Sequence, residues 1–489
     1  MTRFKPGRGA SSDAIALTFI KLITICLGFV TTRLLSQHLS THDYGTYSQI
    51  QLVISTVSSL TILGMMDGIN FFYCSEQDLQ KREACVATLF AMQCVVGVLA
   101  GSAVLLLQNM ICAGFGNPDI KSLIVFAAVL PLMQNLVSML QIMMVSAGKA
   151  RIIAVRNLVV SVIKLAAVAV VALLVQNVAL IMAATLLMDL AQIAVFLVIL
   201  RKNGCMIPIK RADFRLSKQI LSYCVPMAVF ISLNTLNRDC DKYLITLMTD
   251  TETLAVYSNA SKALPFDIIM TSFCTVLLPK ITRMVAQKAH TQAVALYRLF
   301  VEIAYISTTI LCCAALTAAP ELMELLYSEK YLNGLSVFCI YILVDMIRFT
   351  NMTLILSAAG KTGKLMILSM GAFVCNVILN LILFRWLGTV GPAIATLVTT
   401  AATGVIMLSM NAKELCSDIW DFFNRPYLLL FVAENAAMMM FLGVARRYLE
   451  QWGIYYFITL FAICAVYCGV MLLLNGKRLL RDLKQVNTV

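Results

Sequence analysis

Apolar stretches long enough to cross a bilayer recur fourteen times along the 489 residues. An α-helix rises about 1.5 Å per residue, so about 20 apolar residues traverse the hydrocarbon core. Inside hydrocarbon every backbone N–H and C=O must find a partner within the protein, and helices achieve this segment by segment. The pattern predicts an all-α polytopic membrane protein. Its spans fall at 14–36, 46–72, 85–107, 121–145, 157–175, 178–200, 220–248, 256–279, 296–318, 335–359, 365–384, 391–410, 428–444 and 453–475. Composition agrees: 60% of residues are hydrophobic and 13% charged, with a mean hydropathy of +0.87. Too little polar surface remains to cover a soluble core. A soluble enzyme, a disordered chain and a secreted disulfide scaffold are excluded. The first span follows Arg3, Lys5 and Arg8 as a signal peptide would. Its apolar stretch runs on through Lys21 and Arg33 without a small-residue cleavage site, so it reads as a retained helix.

Charge fixes an orientation. Lys and Arg number 38 against 25 Asp and Glu, a net +13. Twenty-six of the 38 fall on one side of the predicted topology, in the N-terminus, 73–84, 146–156, 201–219, 280–298, 360–364, 411–427 and the C-terminal tail. Seven fall on the other side (Arg33, Lys121, Lys242, Lys330, Arg385, Arg446 and Arg447). The basic side is cytoplasmic by the positive-inside bias, which places both termini inside. The +13 is thus mainly topology and does not point to nucleic acid. The sixteen Cys include Cys26, Cys94, Cys224, Cys375 and Cys464, set singly in apolar runs, and the adjacent Cys312 and Cys313. No CxxC pair exists, so they read as small buried residues and imply neither disulfides nor a metal.

The chain repeats itself. Tyr44-Gly45-Thr46-Tyr47 opens span two and Ala255-Val256-Tyr257-Ser258-Asn259 opens span eight. Ser146-Ala147-Gly148-Lys149 ends span four and Ala358-Ala359-Gly360-Lys361 ends span ten. Tyr47 to Tyr257 is an offset of 210, and Gly148 to Gly360 one of 212. Each unit holds six spans, and an even number makes the repeats parallel. The expected organisation is an N-terminal six-helix lobe (1–200), a basic cytoplasmic linker (201–219), a C-terminal six-helix lobe (220–410), and two additional helices with a tail (411–489). Twin lobes suit alternating access.

Five cations lie within spans: Lys21, Lys164, Arg238, Lys262 and Arg348. A mid-bilayer charge costs about 2.5–3.5 kcal/mol, so these groups must face a wet cavity or a counter-charge. Internal pairing is one reading. Arg238 with Asp241, and Asp345 with Arg348, are i,i+3 neighbours. Lys21 and Asp67 share a depth, and Lys164 and Asp189 share one more loosely. The other reading is a cationic seam for an anionic cargo, with Pro265 kinking the helix beside Lys262 and freeing backbone groups for a polar ligand. Spans two and seven are rich in small polar groups (Gln49, Gln51, Ser55, Thr56, Ser58, Ser59 and Thr61; Ser232, Asn234, Thr235 and Asn237), which glue helices or line a sugar path. His38 and His42, beside Asp43, lack a third metal ligand, and Ser40 to Gly45 reads as a turn. Gly148-Lys149 and Gly360-Lys361 read as glycine caps followed by lipid-facing lysines. No nucleophile elbow, phosphate-cradling loop, cofactor motif or catalytic constellation appears.

These residues resemble the multidrug/oligosaccharidyl-lipid/polysaccharide (MOP) exporter superfamily, and within it the bacterial polysaccharide-biosynthesis flippases. Arg33-Leu34-Leu35-Ser36, Tyr44-Gly45-Thr46-Tyr47, Asp241-Lys242-Tyr243 and the paired Gly-Lys ends carry the resemblance, which covers nearly the whole chain. It implies a MATE-like fold in the bacterial plasma membrane and no enzymatic activity. The implied cargo is an undecaprenyl-diphosphate-linked anionic oligosaccharide turned over to the outer leaflet, with other membrane proteins of polysaccharide assembly as further partners. Lys21, Lys164, Arg238, Lys262 and Arg348 would hold the anion. Asp239, Asp241 and Asp345 would couple a cation or proton gradient. The two last helices would help house the lipid tail, by analogy with flippases of peptidoglycan precursor. A multidrug antiporter of the same superfamily is the nearest alternative, but it would want acids where the first helix has Lys21. A polysaccharide polymerase or ligase is the alternative from another class, but it would want a larger outer loop than 319–334.

Overall fold

A computed structural model describes residues 10–75, 78–146, 150–175, 177–202, 211–267, 270, 277, 280–281, 284–285, 287–351, 353–451 and 456–488. The described residues are helical throughout, with no strand. They divide into two compact units, Met1–Ala255 and Val256–Val489.

The first unit begins with α1 (Ala10–His38), α2 (Thr41–Thr61), α3 (Met65–Ser75), α4 (Leu79–Leu106) and α5 (Gln108–Phe115). It continues with α6 (Ile120–Ser146), α7 (Ala150–Leu174), α8 (Val178–Lys202), α9 (Ser217–Met248) and the start of α10 (Thr251–Ala260). The expected span seven is thus one helix, α9, and it packs within the first unit against α2 and α3. The expected span 46–72 is two helices. Leu63 at φ 45° and Gly64 at φ 64° turn the chain between α2 and α3. Left-handed backbone suits glycine, which has no Cβ to clash. The core of this unit gathers Met65, Ile69, Leu89, Met139, Met144, Phe196 and Cys224 from α3, α4, α6, α8 and α9. The segment Ser40–Gly45, read from sequence as a turn, is the start of α2. Ser40 is the N-cap: its Oγ accepts the Asp43 N–H at 3.0 Å and donates to Asp43 Oδ2 at 2.7 Å. The side chain thereby satisfies a backbone donor that helix geometry leaves open.

The second unit contains α11 (His290–Thr317), α12 (Ala319–Leu326), α13 (Leu335–Ile347), a 3₁₀ turn (Arg348–Asn351) and α14 (Leu354–Ala358). After these come α15 (Thr362–Leu387), α16 (Val390–Glu414), α17 (Arg425–Gln451) and α18 (Tyr456–Thr488). The hydrophobic core forms around α11, where Tyr297, Phe300 and Tyr305 meet Phe422, Phe431 and Tyr467. In its most apolar stretch 72% of α11 is buried, against 17% for α8 and for α15. The first is a central post; the other two show their flanks to lipid. The last two spans, expected as an appendix, join this core. Tyr467 of α18 donates to Asn435 Oδ1 of α17 at 2.8 Å, Arg446 of α17 pairs with Glu321 of α12 at 2.6 Å, and Arg478 of α18 pairs with Glu302 of α11.

Among the described residues, nine helices are long and apolar enough to cross a membrane. They correspond to expected spans three, four, six, nine to twelve, thirteen and fourteen, and α1, α2, α7 and α9 stand at spans one, two, five and seven. In span eight, residues 268–269, 271–276 and 278–279 lie outside the described residues. The short connections at 176–177 and 385–390 fall where hydropathy placed them. Asn177 caps α8 by accepting the Ala179 N–H at 2.8 Å, and Gly388 at φ 58° closes α15. This is a multi-pass membrane protein.

Candidate functional site

In the first unit, α2 turns a stripe of small polar residues toward its neighbours. Their hydroxyls lie too far apart in sequence to read as one network, but helical spacing stacks them. Asn135 of α6 donates to Thr61 Oγ1 at 3.0 Å and to the Ser58 carbonyl at 3.1 Å, while accepting the Ser58 hydroxyl at 2.5 Å. Ser232 of α9 donates to the Ser59 carbonyl at 3.1 Å. Tyr243 bonds Thr56 and donates to the Leu52 carbonyl at 3.2 Å. Nearer the N-terminal end of α2, Asn117 donates to Thr46 and to Gln49, each at 2.8 Å. Most of this stripe acts as interhelical glue, one of the two readings the sequence allowed.

The stripe ends on charges. Ser55 donates to Asp239 at 3.4 Å. Asp239 is buried and lies 2.9 Å from Lys242 Nζ and 3.6 Å from Arg238. Arg238 therefore pairs with its neighbour Asp239 rather than with Asp241. Asp241 is 1% exposed and its carboxylate accepts the Lys242 backbone N–H at 2.8 Å. Two cations share one carboxylate, and the Arg238 side chain stays 65% exposed. With the buried Asp241 the group holds two cations and two acids, and its one largely exposed charge is the Arg238 guanidinium. Beyond it, at the end of α9, a polar pocket of about 410 Å³ is lined by His42, Gly116, Thr246 and Asp250, among others. Asp250 accepts the Thr253 N–H at 2.6 Å, and this backbone bond holds its carboxyl below the usual range.

The second unit brings together another group. Sequence predicts a kink at Pro265; the structure breaks the helix sooner, with α10 ending at Ala260 and a 3₁₀ turn at Pro265–Asp267. Proline lacks the N–H and its ring clashes with the carbonyl four residues back, so helix beyond Ala260 is blocked. The freed Leu264 N–H is taken by Asp345 Oδ2 at 2.9 Å. Asp345 is 4% exposed and carries the expected i,i+3 pair, with Arg348 at 3.1 Å. α13 ends beside this pair, giving way to 3₁₀ turn at Arg348. Two interrupted helices thus meet at one carboxylate, with Arg348 half-buried and Lys262 exposed. Interrupted helices supply backbone polar groups at membrane depth only where protein or a wet cavity receives them.

Of the other predicted residues, Lys164 is exposed on α7, and its charge and that of Arg156 both act on the buried Asp189 of α8. The side chains of Lys21, Asp67, Asn234 and Asp267, and the Gly148-Lys149 segment, lie outside the described residues. Gly360 is the αL cap expected of it, at φ 69°. Lys361 differs from expectation: it does not face lipid but pairs with Glu414 at 2.6 Å. Two acids in spans were passed over in sequence or left unplaced. Glu302 holds Arg478, and Glu434 accepts from Asn475 at 3.0 Å. A count of acids as well as cations inside the spans would have found Glu302.

The helical membrane fold is similar to that of solved MOP-superfamily transporters. The chain is similar to the lipid II flippase MurJ in an inward closed conformation, at 14% identity and TM-score 0.73, over 96% of this chain and 99% of that one. It is also similar to an inward-facing multidrug-resistance MATE transporter of the MOP superfamily, at 13% identity and TM-score 0.69, over 82% and 98%. A MOP transporter from Pyrococcus furiosus, described as having a binding pocket of reverse polarity, matches at 13% and TM-score 0.60, over 82% and 94%. No curated protein matches by sequence. The family model described as "Polysaccharide biosynthesis protein" matches residues 30–335. The chain belongs to this polysaccharide biosynthesis family.

Proposed function

We propose that the protein is a flippase that moves a lipid-linked, undecaprenyl-diphosphate oligosaccharide across the bacterial plasma membrane by alternating access of two six-helix lobes, 1–200 and 220–410. The observation that carries this reading is the exposed Arg238 guanidinium within a membrane span, which shares the Asp239 carboxylate with Lys242. A diphosphate would bind the exposed guanidinium. Guanidinium and ammonium groups bind phosphate through charge-assisted hydrogen bonds, which strengthen where water is scarce. Lys21, Lys164, Lys262 and Arg348 extend the basic path, and Asp239, Asp241 and Asp345 are the groups that couple an ion gradient. The side rich in Lys and Arg is cytoplasmic, with both termini there. The family match supports polysaccharide assembly as the setting. A cation-exporting multidrug antiporter is disfavoured because the exposed charge is positive.

The test is export in a strain lacking the native protein. Charge reversal at Lys21, Arg238, Lys262 or Arg348 is expected to abolish surface polysaccharide while the protein inserts at normal levels. Unchanged export in all four variants, or transport of a cationic dye by the wild type, refutes the proposal.

A further inference from the structure

On the flank of the first unit, α7 and α8 part to leave a groove of about 640 Å³. Val155, Val159 and Ile163 line it from α7 at four-residue steps, and Met188, Val195 and Ile199 line it from α8. Each of the α7 residues is about half exposed. Eight residues of α7 rise about 12 Å and eleven of α8 about 16 Å, so the groove runs parallel to the helices for about half of the hydrocarbon core. Its walls suit an alkyl chain lying along the protein.

The groove carries one charge, Arg156. Its guanidinium lies 4.2 Å above the Phe196 ring, one Nη donates to Asn157 at 2.8 Å and the other to Gln192. Its Nε is buried and has no acceptor. Behind it sits the buried Asp189, whose Oδ1 accepts from Gln192 at 3.1 Å. Asp189 Oδ2 has no hydrogen-bond partner, so the guanidinium reaches that carboxylate only through Gln192. Arg156 stands six residues from the start of α7, near the end of the groove where α8 finishes in the exposed Arg201 and Lys202.

We infer that this groove is a binding site for an anionic phospholipid of the leaflet on the Lys/Arg-rich side. One acyl chain lies between α7 and α8, and the headgroup phosphate is held by Arg156, with Arg201 and Lys202 about 13 Å further along α8 adding to the positive field on that side. Basic pockets between membrane helices select anionic headgroups on electrostatic grounds. A zwitterionic lipid brings its own cation to a site already positive and gains less. The site is independent of the transported cargo, since every residue in it belongs to the flank of α7 and α8 and none to the charged groups at Asp239 or Asp345.

The experiment uses the purified full chain and native mass spectrometry, with phosphatidylglycerol and phosphatidylcholine of equal chain length. Wild type is expected to retain phosphatidylglycerol at least fivefold better. Arg156→Gln removes the preference, and Val159→Trp, which fills the groove while keeping the guanidinium, lowers phosphatidylglycerol retention by a similar factor. Inorganic phosphate does not displace the lipid. Equal retention of the two lipids by wild type, an unchanged preference in Arg156→Gln, or full retention in Val159→Trp overturns the inference. So does displacement by a polyprenyl diphosphate at a tenth of the phospholipid concentration, which would give the groove to the cargo. If Arg156→Gln does not fold, Val159→Trp decides alone.

Discussion

Single residues show where sequence reading succeeds and where distance defeats it. Tyr44-Gly45 was visible as a repeated landmark, but nothing local says why glycine stands there. A Cβ at Gly45 would lie 2.1 Å from the carbonyl oxygen of Thr251, and that partner is backbone and cannot step aside. α2 and the start of α10 pack closely through this one missing side chain. Gly45→Ala is therefore expected to destabilise the first unit by about 1–3 kcal/mol, as overpacking does. A fall in thermal midpoint of the detergent-solubilised protein checks it, and an unchanged midpoint would show that the two helices are free to separate. The charges behave differently. The Asp345–Arg348 pair was legible because its partners lie one turn apart. Arg238 was paired with the wrong acid because spacing does not say that Lys242 already draws Asp239 to that face.

At the scale of elements, hydropathy locates helices and misses their interruptions. A window of about 19 residues averages over a two-residue break, so α2 and α3 merged into one expected span. The Pro265 break was foreseen in place and underestimated in extent. Contacts between distant elements were least legible. Glu302 and Arg478 lie far apart in sequence, yet they tie α18 to the central α11. Removing one partner leaves a buried charge uncompensated and costs about 3–5 kcal/mol, whereas replacing both by apolar groups of similar volume costs much less. Arg478→Met is thus expected to destabilise markedly, and Glu302→Leu combined with Arg478→Met to recover most of the loss. Unfolding in a denaturant series measures both. A double variant no better than the single one would mean that the pair does not govern docking of α18.

The whole molecule follows from two counts made on the sequence: apolar lengths, which gave the polytopic helical fold, and basic residues, which gave an orientation. The orientation has a direct consequence. A fluorescent protein that matures only in the cytoplasm is expected to fluoresce when fused after Val489, and a periplasmic phosphatase fused there to stay inactive. The opposite result would invert the topology and move Arg156 and its groove to the other leaflet. What neither count contains is the packing order within each unit, because hydrophobic residues that face lipid and those that face protein read alike. α8 and α11 are similarly apolar, yet little of the first is buried and most of the second is.

The clamps on the final two helices have a genetic corollary. Glu302 and Glu321 each receive their cation from α18 or α17, so a premature stop that spared every earlier span would still strand two carboxylates in an oily setting. Nonsense mutations between codons 425 and 446 should behave as complete knockouts, and the rare suppressors should cluster at those two glutamates.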